Sequence, residues 1–72
     1  MSKTIRSDEY KRIVEKLRRA RIDAGLSQIQ AAKLLKKSQS YVSKSEAGEQ
    51  RLDVLELKLF AKIYKKPLDY FI

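Results

Sequence analysis

From residue 10 the apolar positions recur at steps of three and four: Tyr10, Ile13, Val14, Leu17, Ala20 and Ala24. That period belongs to one face of an α-helix and predicts a first amphipathic helix. Ser7 can cap its start, with Asp8 and Glu9 in the first turn complementing the helix dipole, and Gly25 supplies a left-handed residue after the last turn. Ser27 with Gln30 forms a capping box opening a short second helix, whose inner face of Ala31, Ala32 and Leu35 is narrow enough for another helix to approach closely. It stops near Lys36 and Lys37. Ser38 then caps a third helix, Gln39 to Ala47, which Gly48 terminates. Asp53 with Glu56 makes a second capping box. Behind it Val54, Leu55, Leu57, Leu59, Phe60, Ile63 and Tyr64 cover most of a fourth helix, which is therefore expected to be the most buried element. Pro67 suits the first turn of a final short helix, Leu68 to Ile72. Nothing alternates with the period of a strand. The expected fold is all-α, a compact bundle of five short helices, with residues 1–6 as a tail and 7–72 as one domain.

The third helix departs from this pattern. Its stretch SQSYVSKSEA, residues 38–47, holds one aliphatic side chain, Val42. On a helical wheel Val42 and Glu46, with Ser45 beside them, form the side that faces the domain. Gln39, Ser40, Ser43, Lys44 and Ala47 share the opposite side. That outer face carries an amide, two hydroxyls and an ammonium, groups able to exchange hydrogen bonds with base edges and phosphates. A solvated outer face is the plain alternative. Only Lys36 to Ser38 separates the second helix from the third. Such a tight connection is the helix-turn-helix arrangement, in which the second helix of the pair can lie in a DNA major groove.

Charge sharpens this reading. Seventeen Lys and Arg against nine Asp and Glu give +8 over 72 residues, a balance that favours an anionic partner. Residues 1–37 hold eleven basic and four acidic residues, a balance of +7, and residues 38–72 hold six and five, a balance of +1. There is no cysteine and no histidine. Disulfides, thiolate or imidazole metal sites and the commonest general base are thus unavailable, and no nucleophile has an obvious activator. An enzyme is not expected, and neither a metal nor a cofactor is implied. No apolar run approaches the roughly 20 residues of a membrane span, and the opening MSKTIRSDEY lacks a signal-peptide core. A basic amphipathic membrane peptide is disfavoured by the largely apolar fourth helix, which needs a packed core.

Leu17 and Arg21, GLSQ at 25–28, Ala32 and Leu35, SQSYVSK at 38–44, then Glu46, Gly48, Arg51, Leu52 and KKPLDYF at 65–71 together resemble the Cro/repressor-type (Xre) helix-turn-helix family of bacterial and phage transcription regulators. The resemblance spans residues 17–71 and implies a lambda repressor-like DNA-binding domain. Carried over residue by residue, it implies that Ser38, Gln39, Ser40 and Lys44 face the groove. Gln28, Tyr41, Ser43 and Arg51 are implied to meet the backbone, with Gln28 also bracing the third helix, and the charge excess of residues 1–37 adds Lys36 and Lys37 to the expected backbone contacts. Arg21 and Glu46 match an internal salt bridge. The implied partner is double-stranded DNA, an inverted-repeat operator bound by a homodimer, in a bacterial or phage-encoded cytoplasmic regulator without a small-molecule effector.

Four positions depart from the family's pattern. Lys36 stands where the turn usually has Gly, which implies either strain or a different local backbone. Ser45 replaces a large apolar residue, so thin packing is expected beneath the third helix. Ile29 and Leu34 put apolar atoms on the outside of the second helix, the one feature favouring an antitoxin or a protein-binding adaptor on the same fold. Tyr70, Phe71 and Ile72 suit either core closure or a dimer contact.

Overall fold

The computed structural model describes residues 8–72; the expected tail and the Ser7 cap lie outside them. Four α-helices follow in order: α1 (Asp8–Asp23), α2 (Gln28–Leu35), α3 (Gln39–Glu46) and α4 (Val54–Tyr64). The fifth expected helix is a single 3-10 turn, Leu68–Tyr70. The Tyr70 and Phe71 amides bond three residues back, to Pro67 and Leu68, both at 3.0 Å, so the segment winds as a 3-10 turn and closes on the core through Phe71, which is 1% exposed. Tyr70 lies partly buried on the outside, beneath the Lys16 and Lys66 ammonium groups at 5.9 and 4.7 Å from its ring centroid, and Ile72 is exposed. Core closure is therefore led by Phe71, with Tyr70 packed partly buried against it.

Both capping boxes form as expected. Ser27 Oγ accepts from the Gln30 amide while the Gln30 side chain accepts from the Ser27 amide, and Asp53 and Glu56 exchange the same pair of bonds. At their other ends the four helices stop alike, each on one left-handed residue: Gly25, Lys36, Gly48 and Lys65. The amide one residue further on then reaches back five positions, as in Lys37 to Ala32 O and Lys66 to Ala61 O, both 3.0 Å. This Schellman closure satisfies carbonyls that the helix end leaves open. Lys36 thus adopts the left-handed backbone, at φ 59°, that its place in the turn demands. A side chain with a Cβ is disfavoured there relative to glycine, and the two closing bonds offset the cost.

α2 packs on α3 and α4, α1 packs on the same two helices, and the 3-10 turn lies on α4. The alanines expected to permit close approach, Ala31 and Ala32, are buried, together with Leu17, Ala20, Val42, Leu57, Phe60, Ala61, Tyr64 and Phe71. Ala24, assigned above to the apolar stripe of α1, is exposed in the turn after it. The larger correction concerns α4. Leu57, Phe60, Ala61 and Tyr64 face inward, but Val54, Leu55 and Leu59 are 64%, 70% and 50% exposed. Neighbouring helices cover only one side of α4, so its second apolar side has nothing to bury against. Among the described residues no helix is long and apolar enough to cross a membrane.

Candidate nucleic-acid interface

α3 begins at Ser38, whose Oγ accepts from the Tyr41 amide at 3.1 Å, and ends at Ala47 just before Gly48. The cap occupies the acceptor role of the Ser38 hydroxyl and leaves its proton to donate. The inner side of the helix is anchored more firmly than Val42 alone would allow. Val42 and Ser45 are both fully buried, and the Tyr41 ring stacks on Phe60 with centroids 6.0 Å apart and planes 5° from parallel. The Tyr41 hydroxyl donates to Glu56 at 2.9 Å. Burial first, then that carboxylate, holds its proton well beyond the usual tyrosine range, so it remains a neutral donor.

The packing expected to be thin at Ser45 is filled by polar atoms. Ser45 Oγ donates to the Tyr41 carbonyl at 2.8 Å and accepts from Gln50 Nε2, also at 2.8 Å. Gln50 Nε2 donates to the same Tyr41 carbonyl at 3.1 Å. The Tyr10 hydroxyl then donates to the Gln50 carbonyl and accepts from the Leu52 amide, both at 3.0 Å. α1 and the segment after α3 are thereby tied to the floor of the third helix. Gln50 and Tyr10 were not singled out from the sequence for this role: Gln50 lies beyond the end of α3, five and nine residues from its partners, and Tyr10 reaches partners 40 and 42 residues away.

Arg21 and Glu46 meet as the family resemblance implies. Arg21 Nε donates to Glu46 Oε2 at 2.6 Å and Nη2 to Oε1 at 3.1 Å, while Nη1 donates to the Leu26 carbonyl at 2.9 Å. Their side chains are 12% and 5% exposed. The bond to Glu46 raises the guanidinium's affinity for its proton, outweighing burial, which acts the other way. Tyr64 lies against this pair with its hydroxyl buried and unpartnered; burial, then the Glu46 charge, pushes its ionisation upward.

The pair does not end the network. Gln28 Nε2 donates to Glu46 Oε1 at 3.1 Å, and Gln28 Oε1 accepts from Gln39 Nε2 at 2.9 Å. Gln28 therefore braces the first residue of α3 from the first residue of α2. On the outer side Gln39, Ser40 and Lys44 are exposed and Ser43 is half-buried. Of these four side chains only Gln39 has a hydrogen-bond partner among the described residues. Lys36, Lys37 and Arg51 stand exposed around the same helix, in the turn before it and the segment after it. The Lys37 ammonium sits 5.2 Å from the Tyr41 ring centroid, a cation–π contact that draws it toward the helix. Ile29 and Leu34 are exposed on α2, 55% and 56%, where the sequence puts them.

A short helix held from below by buried contacts, joined by a three-residue turn to its partner and presenting a polar face outward, defines a helix-turn-helix unit. The helix-turn-helix family model matches residues 17–71, and the chain belongs to that family, of the Cro/C1 (Xre) type. Membership carries DNA binding with it and describes a family that is typically non-enzymatic. No curated protein matches the chain.

Proposed function

We propose that this chain is a sequence-specific transcription regulator that lays α3 in the DNA major groove and represses by occupying its operator. The observation that carries the reading is the contrast across α3: Val42 and Ser45 are wholly buried, while Gln39, Ser40 and Lys44 stand outside with one bond among them. Ser38, Gln39, Ser40 and Lys44 read base edges, with Gln39 suited to adenine and Lys44 to guanine O6 and N7. Lys36, Lys37, Ser43 and Arg51 meet phosphates, whereas Gln28, implied by the resemblance to do so too, has its nitrogen on Glu46 and its oxygen on Gln39 and serves α3 instead. Tyr41 is the weakest member of that set, because its hydroxyl is already given to Glu56.

A monomer makes few base contacts, each good one worth about 1–3 kcal/mol. Useful specificity thus calls for a homodimer on an inverted repeat, with half-sites about one helical turn apart. The second copy fits the uncovered side of α4 at Val54, Leu55 and Leu59. Two copies of a +8 chain repel, and this side belongs to the half whose balance is only +1. The exposed Ile29 and Leu34 favour a second reading, an adaptor or antitoxin, and a stoichiometric protein partner recovered with the chain would establish it. As a DNA-binding regulator the chain works in the bacterial cytoplasm.

Salt dependence tests the reading. If each monomer neutralises about four phosphates, log affinity against log salt falls with a slope near −7 for a dimer. Replacing Lys36 and Lys37 by Gln flattens the slope by about one unit per lost contact and weakens cognate and random duplexes alike. An unchanged slope would remove the turn from the backbone contacts.

A further inference from the structure

We propose that Glu46, acting through Gln28, fixes which way round the Gln39 amide faces the groove, and so makes that position select adenine over guanine. The proposal rests on reading α3 as the groove-facing helix. Its starting point is chemical: an ionised carboxylate only accepts hydrogen bonds, whereas a carboxamide donates at one end and accepts at the other. Glu46 already accepts from Arg21 Nε and Nη2. Whatever else touches it must donate. Gln28 therefore turns its nitrogen to Glu46 Oε1, 3.1 Å away, and its oxygen is directed to α3. There Oε1 accepts from Gln39 Nε2 at 2.9 Å. One of the two Gln39 N–H groups is thereby committed, and the side chain faces outward with one N–H and a free Oε1.

That remaining pair, one donor and one acceptor, is the complement of adenine, whose major-groove edge offers N7 as acceptor and N6–H as donor. Guanine offers two acceptors, N7 and O6. Against guanine the fixed Gln39 satisfies one acceptor and turns its oxygen toward the other. Without the anchor the Gln28 amide is free to reverse and donate to Gln39 Oε1. Gln39 would then present both N–H groups outward, a pattern guanine accepts. Glu46 is a positioning residue in this scheme, two bonds removed from the base, and Arg21 holds it in place from the other side. A purely structural salt bridge would influence stability and overall affinity but would leave the choice between two purines alone.

The experiment is a binding selection on double-stranded oligonucleotides with a randomised centre, run with the parent and with Gln39→Ala, Glu46→Gln and Gln28→Met. Gln39→Ala identifies the base pair that Gln39 reads: at one position of each half-site the parent prefers adenine over guanine by about tenfold or more, and the variant does not. At that position Glu46→Gln reduces the preference to within about threefold, and preferences elsewhere stay as in the parent. Glu46→Gln lowers the melting temperature, so Gln28→Met, which keeps the Arg21–Glu46 pair, carries the same expectation in a stable background. Full retention of the adenine preference in Gln28→Met, or in folded Glu46→Gln, overturns the relay while leaving α3 as the reading helix. A base-preference profile that Gln39→Ala leaves unchanged overturns the groove-facing reading itself, and the relay with it.

Discussion

α3 and α4 exchange the roles that their side chains suggest. α4 is apolar around most of its circumference, yet Val54, Leu55 and Leu59 are half to two-thirds exposed. α3 contains one aliphatic side chain, yet Val42 and Ser45 are completely buried and Tyr41 is stacked on the core. Burial follows the placement of neighbours, and apolar character only makes a side chain tolerant of it. The polar helix is held by directional bonds that a wheel does not display: Gln50 into Ser45 and the Tyr41 carbonyl from below, Arg21 and Gln28 into Glu46 at its end. A helix fixed this way can leave its other face free of apolar residues. In α4 the surplus apolar side is free for a different use.

The largest expected effect lies where the anchoring of α3 depends on charge. Removing Glu46 strands the nearly buried Arg21, and loss of one partner of such a pair costs about 3–5 kcal/mol. Glu46→Ala is therefore expected to lower the melting temperature far more than Glu49→Ala, an exposed neighbour beyond the helix end. Equal melting temperatures would mean that the pair contributes nothing to holding α3.

A smaller loss is expected beneath the helix. Gln50→Ala removes the donor to the Tyr41 carbonyl and to Ser45 Oγ, each bond worth about 0.5–1.5 kcal/mol net, while Ser45 Oγ still donates to that carbonyl. Chemical denaturation of Gln50→Ala beside Gln30→Ala, whose side chain serves only the exposed cap of α2, separates this floor from an ordinary surface bond. If the two variants unfold at the same denaturant concentration, the packing under Ser45 is as slack as its small side chain suggests.

The smallest stability effect is expected on the exposed side of α4. Leu59→Ala is expected to change monomer stability by no more than about 0.5 kcal/mol, against about 2–5 kcal/mol for the buried Leu57→Ala. If a second copy docks on this side, Leu59→Ala weakens self-association by sedimentation while the monomer's melting curve stays put. A dimer constant insensitive to both Leu55→Ala and Leu59→Ala would put the interface elsewhere.

Much of the fold was legible from short-range rules. The two capping boxes, the narrow alanine face of α2, the tight turn before Ser38 and the stops at Gly25 and Gly48 each depend on residues within a few positions of one another. Two stops were harder to see because they fall on lysine. Lys36 was flagged only by comparison with the family's glycine. Lys65 was not flagged at all, although Pro67 two residues later is a recognised sign of a helix that has just ended. The last element was overextended because Pro67 indicates where a helix can start and says nothing about where it stops. Within the candidate site, Arg21 with Glu46 and the outward set on α3 followed from resemblance and helical period. The Gln28–Glu46 bond and the Gln50–Ser45–Tyr10 network did not: Gln28–Glu46 and Tyr10–Gln50 span 18 and 40 residues, and Gln50 meets Ser45 from beyond the end of α3, where the helical period no longer applies.

Whether the outer face of α3 reads sequence or is only a solvated surface is decided by comparing Gln39→Ala and Lys44→Ala with the parent on two duplexes, one selected and one random, at a single salt concentration. A reading face loses about 1–3 kcal/mol on the selected duplex per substitution and almost nothing on the random one. Equal losses on both duplexes would reduce these residues to backbone contacts, and no loss on either would leave the polar face of α3 without a partner.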